Sequence, residues 1–159
     1  MAIYMKFGSI KGSVTATGFK EWIEVHSFQW GVGRGISTPV GSAKDREASA
    51  PSVSEVVVTK VADISSHKLL EEALFGSGLK VEIAFTTTVK DKTDQYLIFE
   101  GKEAMVSGFS MSSGGDRPSE SVSLNFTHFQ WKFKENSDEG AKLGGAATVA
   151  YDIGKAQKG

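Results

Sequence analysis

Along residues 122–133 the large apolar side chains change parity. Val122, Leu124 and Phe126 hold even positions, and Phe129, Trp131 and Phe133 then hold odd ones. The same change, in the opposite sense, occurs between Ile23, Val25 and Phe28, Trp30. Successive side chains of a regular strand point to opposite faces, so a parity change requires an extra residue, as a bulge or a sharp bend. The bends are predicted near His26–Ser27 and Thr127–His128. A strand bent in this way serves two sheets at the corner of a barrel.

The other segments agree. Leu79, Val81, Ile83 and Phe85 alternate with Lys80, Glu82, Ala84 and Thr86, the pattern of a half-buried strand. Further strands are expected over 2–7, 53–61, 96–99, 104–111 and 148–153. One helix is expected over 66–75, with Ser66 as N-cap, Gly76 as its stop, and Leu69, Leu70, Ala73 and Leu74 on one face. One helix among about eight strands makes the chain all-β, with a two-sheet β-barrel built on bent long strands and a flanking α-helix. Hydrophobic residues make up 40% of the 159 and charged residues 23%, as in one globular domain over 1–159. Two stretches lack strand or helix pattern. Residues 33–52 read as an extended loop, and 154–159 as a frayed tail.

No catalytic constellation emerges, and the chain is not expected to be an enzyme. The formal net charge is −1, which offers no field for nucleic acid. There is no cysteine, so thiolate catalysis and cysteine-held metals are excluded. His26, His67 and His128 show no metal-ligand spacing, and no cofactor is expected. Gly31-Val-Gly33-Arg34-Gly35 departs from the spacing of phosphate loops and precedes no helix. Ser77-Gly-Leu-Lys80 has the letters of a serine–lysine motif but precedes a strand, where that motif needs a helix start. No segment has the form of a cleavable signal or a membrane span, so the chain is expected to be made in the cytoplasm, without membrane insertion.

Two features invite interaction. Phe-Gln-Trp occurs at 28–30 and at 129–131, each time past a bend. Phe28, Trp30, Phe129, Trp131 and Phe133 are expected in the core, with Gln29 and Gln130 opposite them. Either the repeat is a coincidence of two barrel strands or it marks a second, polar but sheltered face. The segment 33–52 carries Arg34, Lys44, Asp45, Arg46 and Glu47. Charges of both signs suit docking onto a complementary surface.

The blocks Ile3-Tyr-Met-Lys-Phe7 … Ile10-Lys-Gly12, Trp22-Ile-Glu-Val-His-Ser-Phe-Gln-Trp30, Asp116-Arg-Pro-Ser-Glu120 … Val122-Ser-Leu-Asn-Phe126 and Trp131-Lys-Phe133 together resemble the Hcp family. These are the tube proteins of the bacterial type VI secretion system. The resemblance implies a two-sheet barrel, a homohexameric ring, and rings that stack into an inner tube. It further implies a contractile sheath around the tube, a spike protein at its tip, small effector proteins carried in the lumen, and secretion without a cleavable signal. It equates 33–52 with an arm that touches neighbouring copies. Gly8-Ser9 and Ser13 depart from the family's usual first block, where Asp-Gly and an acidic residue are common. A different class of function, a monomeric barrel holding a small apolar ligand among its aromatics, is the alternative reading.

Overall fold

The computed structural model describes residues 1–159 apart from 42, 43, 45 and 136–143, and the side chains of 135 and 144–147. In chain order come β1 (Ala2–Phe7), β2 (Ile23–Val25), β3 (Ser27–Gln29), β4 (Val32–Gly33), β5 (Ile36–Ser37), β6 (Glu47–Ala48), β7 (Ser52–Val53) and β8 (Val56–Val61). Helix α1 (Ser66–Phe75) follows, then β9 (Leu79–Val89), β10 (Lys92–Ser112), β11 (Ser119–Asn125), β12 (His128–Glu135), β13 (Gly144–Asp152) and β14 (Gln157–Lys158).

Two sheets share strands and enclose one core. The first joins β2, β1, β9, the N-terminal part of β10, β12, β13 and β14. The second joins the C-terminal part of β10, β11, β8 and β3. The expected corners are where the strands change sheet. Segment 23–29 pairs with β1 through β2 and with β8 through β3, turning at His26, whose amide donates to the Thr59 carbonyl at 2.8 Å. Segment 119–135 leaves β8 for β13 at Phe126–Thr127, one residue earlier than the parity predicts. The bend keeps Val122, Leu124, Phe126 and Phe129 in one core.

A third corner escapes the pattern. Segments 96–99 and 104–111 are parts of one 21-residue strand, β10. It turns at Glu103, which adopts φ of 52°, and bulges again between Val106 and Gly108. The core-facing positions thus pass from Phe99 and Gly101 to Ala104 and Val106. Phe99 is fully buried and touches Phe28, Trp30, Phe126 and Phe129, with ring centroids 5.1–6.2 Å apart. Such pairs contribute about 0.5–1.5 kcal/mol each beyond burial.

Several expectations need correction. Phe133 is 40% exposed, because β12 runs past the end of the core; it stacks on Trp131 at the surface. Residues 154–159 are not frayed: β14 pairs with β13, and Gly159 N–H donates to the Ala150 carbonyl. The stretch 33–52 is partly paired, β4 with β7 and β5 with β6, so 31–37 and 47–54 form the two sides of an exposed arm. The helix spans the predicted residues, but the residue before it at the cap position is Ser65 and the expected face is only half used. Leu69 is buried, whereas Leu70 and Leu74 are exposed. Gly76 ends the helix in extended rather than left-handed conformation, with its N–H donating to the Glu72 carbonyl. The Gly/Ser-rich stretch after β1 folds over the outside of the first sheet. There Val14 and Phe19 cover Ala84, flanked by Tyr4 and Trp22.

Candidate assembly surfaces

The outward face of the second sheet follows from its register. One row across it reads Ser27, Thr59, Ser121, Ser110, and the next reads Gln29, Val57, Ser123, Gly108. These positions alternate with the core residues Phe28, Val58, Val122 and Phe109, so they point away from the core. None of the eight carries a charge. The Ser27 and Thr59 hydroxyls are hydrogen-bonded to one another. These two rows offer hydroxyl and amide groups but no fixed charge; Glu55, which accepts from Asn125 Nδ2 at 3.5 Å, stands at the margin of the face.

The outward face of the first sheet is charged. Lys6, Glu82, Glu100 and Gln130 form one cross-strand row. Lys80 lies 2.8 Å from Glu82, and Lys132 3.7 Å from Glu100. The hydrogen bond to Glu82 raises the Lys80 ammonium above its ordinary value, so it stays charged at any neutral pH. Gln29 and Gln130 therefore lie on different sheets, and the repeated Phe-Gln-Trp does not build one shared polar face. It places similar residues after two different corners.

Among the described residues, the second sheet has two free edges. β3 pairs only with β8, and residues 105–112 of β10 pair only with β11. Exposed edges of this kind accept strands from another chain. The arm lies next to the β3 edge. Arg34, Lys44, Arg46 and Glu47 are exposed along it, and Arg46 Nε donates to Thr38 Oγ1 at 3.2 Å. Asp45 lies outside the described residues. Val32, Ile36 and Val40 are also exposed on the arm, a series that charge counting overlooks.

The Asp116–Glu120 block has a structural explanation. Glu120 is buried and accepts from Lys60 Nζ at 2.8 Å. Lys60 also donates to Asp63 Oδ1 at 3.0 Å and to Ser66 Oγ at 3.3 Å. This knot ties β8 and β11 to the start of α1. Lys60 escapes a reading of the sequence because it shares the inward parity of Val56 and Val58 in β8, a face where apolar side chains are expected and no partner is visible nearby in the chain. His26 and His128 stand at separate corners and His67 is on the helix. Among the described residues no three His, Asp or Glu side chains cluster as a metal site, and no helix is long and apolar enough to cross a membrane.

Comparison with known proteins gives a consistent result. The family described as "Type VI secretion system effector, Hcp" matches residues 4–133. "Protein hcp1" of Pseudomonas aeruginosa is 28% identical over 154 residues, spanning 95% of this chain and 94% of that protein. A solved "type six secretion system protein" superposes with a TM-score of 0.89 at 27% identity over 99% of both chains. Hcp1 from Salmonella typhimurium shares the fold, with a TM-score of 0.77 at 21% identity over 99% of this chain and 97% of that one.

Proposed function

The chain belongs to the Hcp family of type VI secretion system proteins, and from this premise we propose that it is a tube subunit that also carries effectors. Six copies form a ring, the rings stack, and the tube leaves the cell without a cleavable signal, inside a contractile sheath and behind a spike protein. The role is structural rather than enzymatic.

The observation that carries the reading is the second sheet. Among the described residues it has a free edge on each side, and its central rows between them are polar and uncharged. Joining β3 of one copy to the C-terminal half of β10 on the next extends that sheet around a ring. Head-to-tail contacts of this kind close when the rotation allows. The hydroxyl-rich face then lines the lumen. Charged walls would bind oppositely charged cargo and repel the rest, whereas a neutral hydrogen-bonding wall admits folded polar proteins of either sign. Gln29 is thereby retained as a lumen residue, and Gln130 is assigned to the charged outer face. The arm, with Arg34, Lys44, Asp45, Arg46 and Glu47, makes the stacking contacts.

Light scattering on the purified chain tests the ring directly. Six copies of 17.0 kDa give 102 kDa, and electron micrographs should show annuli. A 17.0 kDa species at all concentrations would defeat the reading.

A further inference from the structure

We propose that the exposed apolar side of α1 on one copy covers an apolar cleft on the next copy around the ring. The inference rests on the ring reading and specifies what seals its joints. The cleft has a volume of about 820 Å³ and opens where the arm leaves the barrel. Trp30, Val53, Trp131 and Val149 line it. Val149 is 57% exposed. The Trp30 indole Nε1–H is buried there and has no hydrogen-bond partner among the described residues. An open apolar surface of this kind is a site for another molecule.

The helix presents the complementary surface. Leu70, Leu74 and Phe75 are 44%, 65% and 81% exposed. A ten-residue helix that fully buries only Leu69 leaves a contiguous apolar strip on its outer side.

Topology brings the two surfaces together. Trp30 directly follows β3, so the cleft adjoins one free edge of the second sheet. The helix packs along β10. Its start is held near Glu120, which pairs with Met111, and the glycine turn after it lies against Glu103. Its length therefore runs beside residues 103–111, the stretch that carries the other free edge. When the β3 edge of one copy meets the β10 edge of the next, α1 arrives beside the cleft. A second copy is thus the occupant. The contact is continuous with the edge pairing, and the helix and cleft cannot both be satisfied within one chain that holds them beside different edges.

The chain has no cysteine, which permits a clean test. The double variant Leu74→Cys/Val149→Cys is treated with a short bis-maleimide. Rings should yield a covalent series extending to six copies, while Leu74→Cys alone and Val149→Cys alone yield none. Rings that form normally but give no series would overturn the proposal. If the double variant forms no rings while the natural chain does, Leu70→Cys/Val32→Cys is judged by the same rule. Binding of an apolar dye to the clefts of intact rings would mark them as open small-molecule sites, and would also overturn it. Absence of rings from the natural chain would instead defeat the ring reading itself.

Discussion

At the scale of single residues, two polar or small side chains matter more than their surroundings suggest. Gly12 lies where the chain recrosses the first sheet, and a Cβ there would stand 2.2 Å from the Trp22 carbonyl oxygen. Gly12→Ala must push the 12–22 clasp off Ala84 and should cost about 1–3 kcal/mol. Hydrogen exchange will show faster exchange at the Val14 and Glu21 amides, with β8 and β11 unchanged. Lys60 is the second case. Lys60→Met leaves the Glu120 carboxylate buried without its cation, for about 3–5 kcal/mol in urea unfolding. Lys60→Met/Glu120→Leu removes both charges, and most of that loss should be recovered. A double variant as unstable as the single one would show that the knot acts through shape and not through charge.

At the scale of elements, the bent strands and the arm follow opposite rules. The corners at His26, Glu103 and Phe126–Thr127 are held by core side chains on both sides, so they belong to the barrel. The arm is a two-stranded ribbon with exposed side chains almost throughout, and such ribbons are marginal alone. Deleting residues 38–50 should therefore leave the melting temperature of the isolated ring almost unchanged while tube formation is lost, as seen by sedimentation and microscopy. Tubes of ordinary length after the deletion would remove the arm from stacking. The corner at His26 and that near residue 127 were legible because large apolar residues flank each bend and betray the change of parity. The corner at Glu103 was not, because Gly101, Lys102, Glu103 and Ala104 offer no large apolar residue to mark the phase. The pairing inside the arm was hidden for a related reason. Its ladders are two residues long, too short for any period to show.

At the scale of the whole molecule, the two sheets divide the surface by chemistry, charged on one outward face and hydroxyl-rich on the other. Gln29→Glu places a like charge on every subunit of the proposed lumen, so retention of acidic cargo should fall several-fold with rings intact. Gln130→Glu, beside Glu100 on the other sheet, should leave retention unchanged; co-purification of effector with ring measures both. Equal effects would reject the assignment of lumen to the second sheet. The amino-acid sequence by itself determined the all-β class, the single helix, the existence of corners near residues 26 and 127 to within a residue, and the family, because these depend on local alternation and on short blocks of residues. Only the tertiary structure decided that Gln29 and Gln130 face opposite ways, that Lys60 completes the Asp116–Glu120 block, and that half of the helix's apolar face is left uncovered. Each of these depends on strand pairing across many residues of chain, and side-chain periodicity carries no information about which strand lies next to which.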